Sequence, residues 1–167
     1  MTQTLKELLD LNLKLAGDMI MKQGHLSPMF ILVSKEVSII LTPWSNEDEK
    51  HVLCDMVEAK MKADGVKQYV HMAEAWMATI AKGTDKAVAK LRPSQREDKT
   101  EVVIVSANDR RSSLVGILEI HRDPDTGKIV STTPQYPDEG DFGGRMLTML
   151  RPDEPDKVQE QFERDLL

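Results

Sequence analysis

Apolar residues near the N-terminus recur at helical spacing. Leu5, Leu8, Leu9, Leu15, Ala16, Met19 and Ile20 share one face, and Thr4-Leu-Lys-Glu7 has the spacing of a capping box. Gly24 predicts the stop, with Asn12 at the edge of the buried stripe. Two short apolar runs follow, Met29-Phe-Ile-Leu-Val33 and Val37-Ser-Ile-Ile-Leu41. Ser34, Lys35 and Glu36 separate them, which predicts a β-hairpin ended by Pro43. Ser45 or Asn46 then caps a second helix with Glu47, Asp48 and Glu49 in its first turn, where the helix dipole favours negative charge. Its buried stripe reads Leu53, Met56, Val57 and Met61, and Asp64-Gly65 closes it.

Beyond Gly65 the pattern changes to that of strands. Residues 66–80 contain no Gly or Pro. Val66, Val70, Met72, Trp76, Ala78 and Ile80 occupy alternate positions and are expected to face the helices, together with Gln68 and Glu74. A strand of that length is expected to bend or bulge, near Ala73 and Ala75. Two runs dense in Val and Ile follow, Glu101-Val-Val-Ile-Val-Ser-Ala107 and Ser113-Leu-Val-Gly-Ile-Leu-Glu-Ile120, joined by a hairpin loop at Asn108-Asp-Arg-Arg111. The turn signal Asp123-Pro-Asp-Thr-Gly127 then leads into an edge-like strand over 128–133. From Pro134 the chain is rich in Pro, Gly and acid, predicting an irregular wrap over 134–167 with a short terminal helix at 156–167. The resulting fold class is α+β: a single antiparallel sheet of about six strands with two helices packed on one face, in the order α-β-β-α-β-β-β-β.

Composition narrows the function classes. A chain of 167 residues is expected to form one domain, 1–167, with ten Met residues giving an adaptable core. The lone cysteine, Cys54, excludes an intrachain disulfide and is expected to be a small buried hydrophobe. No signal-peptide pattern opens the chain, and no apolar run approaches the roughly 20 residues of a membrane span. A cytoplasmic protein with no membrane partner is therefore expected. The net charge of −6 argues against a large nucleic-acid footprint. Arg92, Arg96, Arg110 and Arg111 could still form a local basic patch, although a solvated loop rim is the expected reading. His25, His51, His71 and His121 are scattered without metal-ligand spacing, and no phosphate-binding loop or nucleophile elbow occurs. No metal and no cofactor is expected. Asp141-Phe-Gly143 stands without the other kinase motifs.

Two features draw attention as candidate chemistry. Glu74 places a carboxylate on the more apolar face of a central strand, where an isolated charge is costly unless paired, protonated or near water. With His71 or His121 it would make a general base or a ligand-binding carboxylate; the competing reading is a structural ion pair to an arginine such as Arg92 or Arg96, or a pleat that puts Glu74 in solvent. The loop Arg92-Pro-Ser-Gln-Arg-Glu-Asp98 is a candidate contact surface, in which Arg96 could grip a carboxylate through two hydrogen bonds. The set Ala73-Glu-Ala-Trp76, Pro93-Ser-Gln-Arg-Glu-Asp98 and Glu101-Val-Val-Ile-Val-Ser-Ala-Asn-Asp109 resembles a small family of uncharacterised bacterial and phage-associated proteins. The resemblance covers about the middle third of the chain; it implies a cytoplasmic bacterial or phage origin and no assigned activity.

Two functions follow from these readings. The first is a non-enzymatic binding or regulatory module acting through protein contacts, with self-association by edge pairing over 128–133 or through the tail. The second is a small hydrolase or ligand-binding enzyme with a pocket around Glu74.

Overall fold

The computed structural model describes residues 3–77, 99–137 and 149–150, together with the single positions 86, 91, 95 and 97. Helix α1 spans Leu5–Gln23. Its capping box is complete: the Thr4 hydroxyl accepts from the Glu7 N–H, and the Glu7 carboxylate accepts from the Thr4 N–H. Gly24 ends it in the left-handed region, φ 77°, donating its N–H to the Ile20 carbonyl. Strands β1 (Met29–Val33) and β2 (Val37–Leu41) form the expected hairpin. Helix α2 (Glu47–Asp64) follows, with the Asn46 side chain accepting from the Glu49 N–H. Strands β3 (Gln68–Met77), β4 (Thr100–Asn108), β5 (Ser113–Arg122) and β6 (Ile129–Gln135) complete the described elements.

The strands form one open, fully antiparallel sheet in the order β2-β1-β3-β4-β5-β6. This is the α+β architecture and element order that the sequence predicts. The helices, however, lie on opposite faces rather than on one. Met29 and Ile31 of β1 pack with Val70, Met72, Val103, Val105, Leu118 and the α1 residues Leu9, Leu13, Ala16 and Ile20. Phe30 and Leu32, the alternate residues of the same strand, pack instead with Tyr69 and with Cys54, Val57 and Met61 of α2. Connectivity accounts for this. From edge strand β2 the chain must cross over β1 to reach β3, and α2 makes that crossing on the face that α1 leaves open.

Four further readings change. Met56, expected in the buried stripe of α2, is exposed, while Cys54 is buried as expected. Asn12 lies within the buried stripe of α1, its amide donating to the Leu8 carbonyl at 2.8 Å. The pairing of β3 with β4 runs unbroken from Tyr69 to Met77, so the expected bulge at Ala73 is absent; the register shift lies at His121 and Arg122 in β5. Strand β6 continues through Pro134 to Gln135, beyond the predicted end at 133. Proline is tolerated there because β6 is an edge and that residue need not donate to a further strand. The terminal helix at 156–167 and most of the wrap lie outside the described residues.

Candidate functional site

Glu74 lies on the α1 face of β3, just past the C-terminal end of the helix. Its Oε1 accepts the backbone N–H of Leu26 at 2.9 Å, and the residue is exposed overall. The carboxylate therefore fastens the α1–β1 connection to the sheet. Beside it, Arg122 donates Nε and Nη2 to the two oxygens of Glu101, at 2.6 and 2.8 Å, and Nη1 to the Gly127 carbonyl at 2.8 Å. That forked pair holds the Glu101 carboxyl below the usual carboxylate range and raises Arg122, with Glu74 adding a weaker attraction to the guanidinium. Lys99 lies over the Trp76 ring, 4.6 Å from its centroid. The partner of the Arg–Glu network is thus Arg122, from the same sheet. Arg92 and Arg96, the arginines that sequence reasoning favoured, lie outside the described residues.

His71 and His121 lie on the other face. Strand alternation sends His71 to the side opposite Glu74, and the cross-strand register puts His121 on the same side as His71. The two are also far apart along the strands. His71 is level with Ser106 and Val115, six positions from His121 on β5, or about 20 Å at strand rise. His121 pairs with Thr133 Oγ1 at 2.9 Å. The structure does not bring Glu74 together with either histidine, because they lie on opposite faces of the sheet. Arg110 is exposed in the β4–β5 loop, where Asp109 Oδ1 accepts the N–H groups of Arg111 and Ser112.

On the α2 face a row of polar groups is buried that sequence reasoning did not single out. Asn108 and Ser106 are both enclosed; Asn108 Nδ2 donates to Ser106 Oγ at 3.1 Å and approaches the Tyr69 carbonyl at 3.5 Å. The Tyr69 hydroxyl accepts the Met149 N–H at 3.0 Å. Next to them the His71 ring packs 4.6 Å from Phe30 and stacks 6.4 Å from Trp44. Its Nε2 is enclosed without a hydrogen-bond partner, and so is Asn108 Oδ1. Burial, with a smaller push from the Lys50 ammonium, lowers the His71 pKa to about 4. A neutral imidazole beside a serine suggests nucleophile activation, but the enclosed His71 Nε2 makes no hydrogen bond to Ser106, whose Oγ accepts from Asn108. Polar residues at positions 106 and 108, ending an otherwise apolar run, were the available sequence signal.

A shallow groove of about 470 Å³ opens at the start of α2, lined by Pro43, Asn46, Asp48, Glu49, Val52 and Leu53. It contains neither Glu74 nor a histidine. No group of three or more metal-ligating side chains converges among the described residues.

The most conspicuous surface feature is apolar. Edge strand β2 turns Val37, Ile39 and Leu41 outward, 65%, 61% and 59% exposed, all on the α1 face. Leu11 of α1 is exposed as well, and so is Leu15, which the sequence pattern placed on the packing face. They lie on the helix flank away from β6, because the opposite flank carries Asp10, bonded to Tyr136, and Gly17, which abuts Thr132. α1 packs over β3 to β6, so these leucines and the β2 row are separate apolar exposures on one face of the sheet. An apolar row on an open sheet edge marks interaction sites more than it does ordinary monomer surface. No helix among the described residues is long and apolar enough to cross a membrane. No protein-family model, no curated protein and no solved structure matches the chain.

Proposed function

We propose that the protein is a non-enzymatic binding or regulatory module that acts through protein contacts. The observation that carries this reading is the outward row Val37, Ile39 and Leu41 on an edge strand. Sheet edges in soluble proteins are commonly shielded by charge, proline or a bulge, and β2 has none of these within Val37–Leu41. A cytoplasmic setting, in a bacterium or phage, accords with a single, buried cysteine at Cys54 that forms no disulfide and with the resemblance of the middle third. The acidic balance of −6 favours protein partners over nucleic acid.

Sedimentation of fluorescently labelled protein, in buffer and in concentrated bacterial extract, tests the reading. Wild type is expected to sediment faster than a monomer in at least one of these media, and Ile39→Lys is expected to lose that shift. A monomer value in both media, unchanged by the substitution, overturns it.

A further inference from the structure

We propose that the partner of β2 is β2 of a second copy, paired antiparallel about a two-fold axis at Ile39 and joining two six-stranded sheets into one. The inference rests on the protein-contact reading above and gives it an occupant. The two sheet edges are built differently. Strand β6 holds Pro134, pairs across an irregular register at His121 and Arg122, and is mostly polar, with Ser131, Thr132, Thr133 and Gln135. Each of these discourages addition of another strand. Strand β2 is Val-Ser-Ile-Ile-Leu, regular along its whole pairing with β1 and free of charge. The edge able to accept a strand is therefore β2, rather than the 128–133 edge favoured on sequence grounds.

The sequence of β2 is also complementary to itself. A two-fold axis perpendicular to the sheet keeps both α1 faces on one side, so an outward residue can only stand opposite another outward residue. Centred on Ile39, this register sets Val37 against Leu41, Ile39 against Ile39, and half-buried Ser38 against Ile40. The whole outward row then pairs apolar to apolar, and a slip by one residue would break that match. Beyond the strand ends, Glu36 comes opposite Thr42 and Lys35 opposite Pro43, so no like charges meet directly across the seam. On the α1 face the rows of both copies form one continuous apolar strip across the seam. A pairing of this kind is isologous: one surface serves both partners and the assembly closes at two.

Cysteine placement distinguishes this register from other occupants. In a C2 pair centred on Ile39, only that position stands opposite its own copy, at the roughly 4.5–5.5 Å Cα separation of directly opposed strand residues, which lies within the range a disulfide spans. Ile39→Cys should therefore form an intermolecular disulfide on mild oxidation, well ahead of Val37→Cys or Leu41→Cys; the native Cys54 is buried and provides little background. Without oxidation, wild type should sediment as a dimer whose β2 amides are protected from hydrogen exchange, and dilution should abolish both. Ile39→Lys, which brings two ammonium groups together at the axis, should weaken dimerisation at least about tenfold while leaving the fold's circular dichroism unchanged. Val130→Lys on β6 should leave the dimer intact.

Other results overturn the proposal. A monomer with exposed β2 amides means no copy pairs there. A monomer with protected amides means the chain's own remaining segments cover the edge. A dimer sensitive to Val130→Lys but not to Ile39→Lys moves the contact to β6. A complex that forms in extract but not in buffer defeats the dimer and leaves the protein-contact reading standing.

Discussion

His71 shows what burying a titratable group on this sheet entails. Its ring is held between Phe30 and Trp44, and the enclosed Nε2 has nothing to donate to, so burial and then Lys50 push the pKa down to about 4. In the unfolded chain the imidazole titrates near its ordinary value of about 6.5. Between those two values the unfolded state binds the extra proton, so stability rises with pH through this window. The His71 contribution is thus fully present above about 6.5 and is lost as pH falls to about 4, on the order of 3 kcal/mol in all. His71→Phe keeps an aromatic ring against Phe30 and removes the titration. Urea unfolding of both proteins between pH 7 and 4 should show wild type losing more stability than the variant; parallel curves would rule this out. Glu74 offers a contrasting case, because what its neighbourhood requires is an acceptor for the Leu26 N–H rather than a charge. Glu74→Gln retains an acceptor and should change stability by less than about 0.5 kcal/mol, whereas Glu74→Ala leaves a part-buried amide unpaired and should cost about 1 kcal/mol. A Glu74→Gln change as damaging as Glu74→Ala would mean that the carboxylate's charge, through Arg122, matters more than its hydrogen bond.

Among the elements, α1 sits close to the sheet because β5 has no side chain at Gly116. A Cβ built there would lie 2.6 Å from Leu13 Cδ1, in a contact with little room to relax. Gly116→Ala should therefore destabilise the protein by about 1–3 kcal/mol. Combined with Leu13→Val, it should cost less than the sum of the two single changes, because the shorter side chain vacates the space the new methyl enters. Additive costs measured by urea unfolding would show that the tight contact does not limit the approach. This packing also shows what the sequence could reveal. Periodicity found both helices, the hairpin and the β3–β4–β5 succession, since each is a local pattern with its own turn or cap chemistry. The faces were harder to assign. Met29-Phe-Ile-Leu32 is buried at every position, the pattern of a strand covered on both sides, and a continuous run contains no alternation from which to place a helix. Strand order depends on contacts distant in sequence, so nothing local identified β2 as an edge or separated Glu74 from His71 and His121.

At the level of assembly, a contact made only by folded copies feeds back on folding. Dimerisation binds the native state alone, so raising the protein concentration should raise Tm, and each tenfold increase above the dissociation constant adds about 1.4 kcal/mol per dimer. The β2 row makes this dependence specific. Val37, Ile39 and Leu41 are exposed in the single chain, so changing one of them to lysine removes little from the core. Ile39→Lys should accordingly match wild type in Tm at low concentration and fall behind it as concentration rises. A core defect would instead lower Tm by the same amount at every concentration. Differential scanning calorimetry over two decades of concentration separates the two cases. A wild-type Tm independent of concentration throughout that range would rule out self-pairing at β2, because a contact made only between folded copies must raise Tm as concentration rises.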